Sequence, residues 1–137
     1  MKQARWQWII LLIILAYEGL GGLLGGVLLS IAPDGHLMNM PPEMMRGVFT
    51  DFLIPGLILT GMGALTTAAF FAVLFNARIG WLFALLSMGG YIIWFTTEIL
   101  ILGAIHWLHI MWGVPVLIGF LMALPMLPLK KARHAFA

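Results

Sequence analysis

The chain has 137 residues, 63% of them hydrophobic and 9% charged, with a formal net charge of +2 and no cysteine. A soluble domain carries roughly 25% charged residues, so this composition is that of an integral membrane protein. The absence of cysteine excludes disulfides and thiolate chemistry, and basic residues confined to segment ends report orientation and exclude a nucleic-acid surface.

The first apolar run reaches from Trp6 to Ile31, long enough to cross a bilayer as one helix. A helix is predicted over about 6–29. Lys2 and Arg5 precede it as in a secretory signal, but the run exceeds the ~7–15 residue signal core, so it reads as a retained span. Glu18 falls near its middle, where a carboxyl group is expensive unless neutral, paired or wetted. Gly22 and Gly25 lie within roughly 40° of Glu18 on a helical wheel. This glycine face lets another helix backbone come close.

The next stretch, 32–47, carries Asp34, His36, Asn39, Glu43 and Arg46. Pro33-Asp34-Gly35 signals a turn. Pro41-Pro42-Glu43-Met44-Met45 opens a short helix, proline being tolerated in a first turn, and its methionines make an interfacial lid. Helix two is predicted over about 49–75, with Asp51 near its outer end and a kink at Pro55. Gly56, Thr60, Gly63 and Thr67 form a small, weakly polar stripe suited to helix contact. Asn76 to Gly80 is a short turn, making helices two and three antiparallel neighbours.

Helix three is predicted over about 81–102. Ser87, Tyr91, Trp94 and Glu98 fall within about 40° of one another, the most ordered polar stripe in the chain. A tight turn from Gly103 to His109 leads to helix four, about 110–129, which reads as free of polar side chains and bent at Pro115 and Gly119. Lys2, Arg5, Arg78, Lys130, Lys131 and Arg133 fall on one side and Arg46 on the other. By the positive-inside rule both termini are cytoplasmic. The expected fold is all-α: a four-helix transmembrane bundle forming a single domain over 1–137, multi-pass in the inner (cytoplasmic) membrane, with a structured extracytoplasmic loop between helices one and two.

Two groups of residues invite a functional reading. Glu18 is either a neutral acid hydrogen-bonded within the bundle, at the depth of Tyr91, Ser87 and Thr60, or a proton carrier or ligand-binding acid. Asp51, Glu98, His106 and His109, with His36 and Glu43, gather at the outer side. Imidazole and carboxylate can hold zinc, copper or iron, and His106 and His109 share a face if that turn is helical. The spacing is not that of a zinc motif, however, so an outward-opening polar pocket without metal is the stronger reading. Haem needs opposed axial ligands, whereas the four histidines, His134 included, take surface-facing positions. The ten methionines read as core filler. No metal or cofactor is assigned.

The expected activity is therefore non-catalytic: binding of a membrane lipid or small amphiphile in an outward-opening cavity lined by Glu18, Asp51, Ser87, Tyr91, Trp94 and Glu98, or service as an accessory subunit in a homo-oligomer or larger membrane complex. One alternative is a membrane enzyme using Glu98 or Asp51 as acid or base on an apolar substrate. Another is proton or ion conduction through Glu18.

Asp51-Phe52-Leu53-Ile54-Pro55-Gly56 and Trp94-Phe95-Thr96-Thr97-Glu98, followed by Gly103 and Trp107-Leu108, carry a resemblance. The chain resembles an uncharacterised family of small four-helix bacterial integral membrane proteins, and its general plan is similar to DoxX-like proteins. The resemblance covers Glu18 to Gly113 and implies four spanning helices without implying a reaction. His106 and His109 stand where the family pattern has serine and glutamine, which argues against a family-wide metal site.

Overall fold

In a computed structural model, which describes residues 3–127, the chain is all-helical, with no strand among the described residues. Four helices are long and apolar enough to cross a membrane: α1 Arg5–Ile31, α2 Leu53–Leu74, α3 Gly80–Leu102 and α4 Trp107–Ala123, the last extended by a 3-10 turn at Leu124–Met126. Lys2, Lys130, Lys131, Arg133 and His134 lie outside the described residues.

Each helix packs on the next, and α4 closes against α1, so α1 and α3 face each other across a diagonal. The Gln3 amide donates to the Met122 carbonyl at 2.7 Å, and the Trp8 indole to the Val73 carbonyl at 3.2 Å. The start of α1 thus meets the ends of α2 and α4. Ile13, Leu20, Phe75, Ile93, Leu100 and Leu121 point outward and are exposed. Such an outer surface suits lipid rather than water, so the bundle is that of a multi-pass membrane protein.

The tightest interface is the α1–α2 seam. Gly22 lies against Gly63, where an added Cβ would come within 2.9 Å of the Gly63 Cα. Gly26 sits on the Thr60 backbone with no room for a side chain. Gly19, Gly22 and Gly26 of α1 and the small stripe of α2 therefore form one contact, built by backbones in direct approach, with Gly25 outside it. Thr60, Thr66 and Thr67 donate their hydroxyls to the carbonyls of Gly56, Met62 and Gly63 at 2.7–2.8 Å, which satisfies them without a partner from another helix.

A different device holds α4 to α1. Pro115 lies inside α4 and cannot donate to the carbonyl four residues earlier, that of Met111. The Tyr17 hydroxyl of α1 donates to that carbonyl at 3.3 Å. The Tyr17 ring stacks on Trp112, with centroids 4.4 Å apart. Tyrosine thus supplies the hydrogen bond that proline removes.

The loop between α1 and α2 is closed at its base, where the Phe52 N–H donates to the Pro33 carbonyl at 2.8 Å. Within it lie 3-10 turns at His36–Met38 and Pro42–Met45. Asp34 accepts the His36 N–H and touches its ring, and these contacts hold the exposed Asp34 carboxyl below its ordinary pKa. The Arg46 guanidinium occupies the space over Gly103, where a side chain would stand. It thereby sets a cation at the carbonyl end of α3, where the helix dipole favours one.

Two boundaries differ from expectation, each for a local reason. Helix α2 starts at Leu53 rather than near 49, because Asp51 accepts the Leu53 N–H at 3.0 Å and Phe52 is buried in the loop core. Pro55 therefore sits in the first turn, where its missing N–H has no intrahelical partner to lose, and it needs no kink. Along α1, Gly19 meets Thr67 while Thr60 lies two turns away at Gly26, so Thr60 is not at the depth of Glu18. Helix α4 starts at Trp107 rather than near 110. The His106 ring accepts the Leu108 N–H at 3.2 Å and the His109 ring accepts the His106 N–H at 3.0 Å. Two histidines cap the helix reciprocally, as a capping box does, and α4 gains a polar residue in His109.

Candidate functional site

The α1–α2 seam leaves the other flank of α1 uncovered toward the loop. There, among α1, the first turns of α2, α3, the start of α4 and the loop, lies a cavity of about 200 Å³. Its hollowness comes from the chain itself: Gly21, Gly22 and Gly25 present no side chains on the α1 wall. The Trp112 indole fills the space beside Gly21. Tyr91, Trp94 and Phe95 of α3 form the opposite wall, with the Tyr91 and Phe95 rings stacked at 5.5 Å. Met38, Met40, Met44 and Met45 cover it from the loop, a soft surface that can re-pack around different shapes. Leu24, largely exposed on the bundle flank, also belongs to the lining.

Polar groups enter this apolar space at two levels. At the floor, the Tyr91 hydroxyl crosses the bundle diagonal and donates to the Glu18 main-chain carbonyl at 3.0 Å. It reaches that oxygen because residue 22 is glycine; a Cβ there would collide with the hydroxyl. The Glu18 side chain is 1% exposed, and its Oε1 has no hydrogen-bond partner. The Trp94 indole is 9% exposed, and its Nε1–H is likewise unpartnered. Buried carboxyl and indole groups ordinarily find partners, and each one left without costs about 1–3 kcal/mol. Both orphaned atoms belong to side chains that line the same cavity.

At the upper level, His109 and Glu98 meet, Nε2 to Oε2, at 2.9 Å. The His109 Nδ1 already accepts the His106 N–H, so the ring proton belongs on Nε2 and is donated to Glu98. His109 is buried and Glu98 half-buried. Both line the cavity, with His106 beside them.

Of the six residues the sequence nominates, the cavity brings together Glu18, Tyr91, Trp94 and Glu98. It does not include Asp51 or Ser87. Asp51 is used in the turn that opens α2, and Ser87 is fully buried with its hydroxyl on the Ala84 carbonyl at 3.1 Å. Sequence reasoning gathered the histidines at the outer side but missed that His109 stands on α4 facing the cavity. The i, i+3 spacing of His106 and His109 was the available signal. Among the described residues, no three histidine, aspartate or glutamate side chains converge as a metal site would require.

No family model, curated protein or solved structure matches the chain. The DoxX-like likeness therefore extends no further than the plan of four long apolar helices, and the cavity is interpreted from its own residues.

Proposed function

We propose that this protein binds a small lipid-soluble molecule in the cavity between α1, α3, α4 and the loop. The observation that carries the reading is Glu18, a buried carboxyl group with an unpartnered oxygen, lining a largely apolar, aromatic-walled space. A cavity with apolar walls and a few convergent polar groups is the usual form of a ligand site. Holding a carboxyl group there without a protein partner is a cost that packing alone does not explain. The acid–base alternative would rest on Glu98 alone, since Asp51 lies elsewhere. Proton conduction would need a wet route to Glu18, which is 1% exposed.

The test is an inventory of what the protein carries. Solvent extraction and mass spectrometry of detergent-purified protein should find one apolar species in near-stoichiometric amount. Gly25→Leu should lose it, because residue 25 opens on the cavity, where its nearest neighbours are the Leu59 and Met38 side chains. Identical extracts from wild type and variant would sink the reading.

For orientation we propose that the chain termini and the α2–α3 turn are cytoplasmic, with the loop and cavity mouth outside. Arg5 and Arg78 mark one end of the bundle and Arg46 the other. Membrane-impermeant thiol labelling should mark Glu43→Cys in intact cells and leave Ala77→Cys unmarked. The reverse pattern would invert the topology.

A further inference from the structure

Resting on the binding reading above, we infer that the cavity opens sideways into the bilayer between α1 and α4, at Leu24, and that its ligand is a single-chain lipid whose chain passes out there. The flank of α1 that faces α4 is the starting point. At about 100° per residue, Tyr17, Gly21, Leu24 and Leu28 fall within roughly 60° of one another. The inner half of this stripe is covered: Trp112 stacks on Tyr17 and fills the space beside Gly21. The outer half is not. Leu24 lines the cavity yet is 64% exposed, and Leu28 is half-buried. Among the described residues of the lining, Leu24 alone is largely exposed. Gly25, one residue on, finds its nearest neighbours in Leu59 and Met38, and α4 supplies none of them. Trp112 is thus the sill of an opening whose rim is Leu24, Leu28 and Leu108.

The other sides of the cavity each carry a closing contact. The backbones of α1 and α2 meet at Gly22 and Gly26. Tyr91 bonds across the floor to the Glu18 carbonyl. The His109–Glu98 pair ties α4 to α3, and Phe95 lies beside Gly113 one turn deeper. On the loop side, Leu29, Met45 and Phe52 form a buried cluster against which Leu59 of α2 and Ile101 of α3 pack. The 3-10 turns of the loop rest on α1 and on α3, so the methionine cover spans those two helices.

Depth decides what stands outside the opening. Leu24 lies six residues past Glu18, the midpoint of α1, a rise of about 9 Å. That is inside the roughly 15 Å half-thickness of a bilayer's hydrocarbon core. Acyl chains rather than water therefore face the leucine rim. Volume decides why a ligand would use the opening. An apolar cavity of about 150 Å³ holds benzene. By proportion, one of about 200 Å³ takes roughly eight non-hydrogen atoms. A lipid chain is much longer than that, so its remainder must lie outside. The gap at Leu24 lets that remainder stay among the bilayer chains, with no apolar surface moved into water.

Chain length tests this in detergent-purified full-length protein. The reporter is para-fluorotoluene, a single ring that fits the cavity, followed by fluorine NMR. Gly25→Leu, with its cavity filled, reports partitioning of the reporter into the micelle. Hexanol, decanol and hexadecanol then compete for the site at matched mole fractions in the detergent. In wild type all three should displace the reporter, hexadecanol at a mole fraction no higher than hexanol. Leu24→Trp sets an indole in the gap, so hexanol should still displace the reporter while hexadecanol no longer does. Ile93→Trp adds the same indole to an exposed position on α3 outside the lining and should match wild type. Displacement of the wild-type reporter by hexanol but not by hexadecanol overturns the inference, because the ligand is then wholly enclosed. Failure of all three alcohols to displace a bound reporter overturns it as well, as does displacement by hexadecanol from Leu24→Trp at the wild-type mole fraction. In those cases the cavity stands as an apolar binding site. If the reporter does not prefer wild type to Gly25→Leu, the binding reading itself falls, and the side opening with it. The wild-type series decides the question even if Leu24→Trp does not fold.

Discussion

Gly22 and Gly25 are three residues apart on α1 and similarly small, yet they serve opposite ends. Gly22 is closed in by the Gly63 backbone and the Tyr91 hydroxyl. Gly25 opens on the cavity, and an added Cβ there would meet only the Leu59 side chain, at 3.3 Å, before anything else. One flank of α1 is a dry seam in which the missing side chains are replaced by another backbone. The other is a hollow in which they are not replaced at all. Small residues in a membrane helix are commonly read as contact surface. Here the same glycine run makes both the contact and the void, and what distinguishes them is whether the α2 backbone or only an α2 side chain lies opposite.

Substitution at these two positions is the strongest way to break the contrast. Gly22→Leu should abolish folded protein in detergent or lower its melting temperature drastically, because backbone cannot move aside as a flexible side chain can. Gly22→Ala should still destabilise by about 1–3 kcal/mol, overpacking outweighing the roughly 1 kcal/mol gained in helix propensity. Gly25→Ala should be neutral or stabilising by up to about 1 kcal/mol, since the propensity gain is opposed only by a movable leucine methyl. Thermal unfolding of the three variants orders them. If Gly22→Ala and Gly25→Ala behave alike, the division of α1 into seam and hollow is wrong.

The seam was legible in the sequence because helical spacing alone puts Gly22 beside Gly26 and Gly63 beside Thr60 and Thr67, and a small face needs a close neighbour. The aromatic wall was legible for the same reason, Tyr91, Trp94 and Glu98 recurring on one side of α3. Ser87 shares that side but lies deeper, past the floor of the cavity, where its hydroxyl turns back to its own helix. Asp51 was misplaced because Phe49 to Phe52 looks like apolar helix. Its carboxylate starts the helix instead of riding on it, and a local hydrogen bond of that kind leaves no periodic trace. The histidine cap of α4 was hidden because histidine is not a customary capping residue. The cavity is a product of three elements converging, and no single stretch of sequence encodes it.

A smaller effect sharpens the comparison from the third side of α1. Tyr17 faces α4, and its hydroxyl answers the Met111 carbonyl that Pro115 leaves free. If that is the purpose of the hydroxyl, its value should depend on the proline. Tyr17→Phe keeps the stack on Trp112 and removes only the hydrogen bond, so it should cost about 1 kcal/mol in the wild-type background, the usual net worth of one such bond. In Pro115→Ala the helix recovers its own N–H donor to Met111, so the same Tyr17→Phe change should cost close to nothing there. The double-mutant cycle isolates the coupling from whatever each change does alone. The bond is long, at 3.3 Å, which places the expected coupling at the lower end for hydrogen-bonded pairs. An equal cost of Tyr17→Phe in both backgrounds would show that α4 is held to α1 by the aromatic stack alone. The hollow beside it would then owe its wall to the packing of Trp112 over Gly21, with no polar anchor behind it.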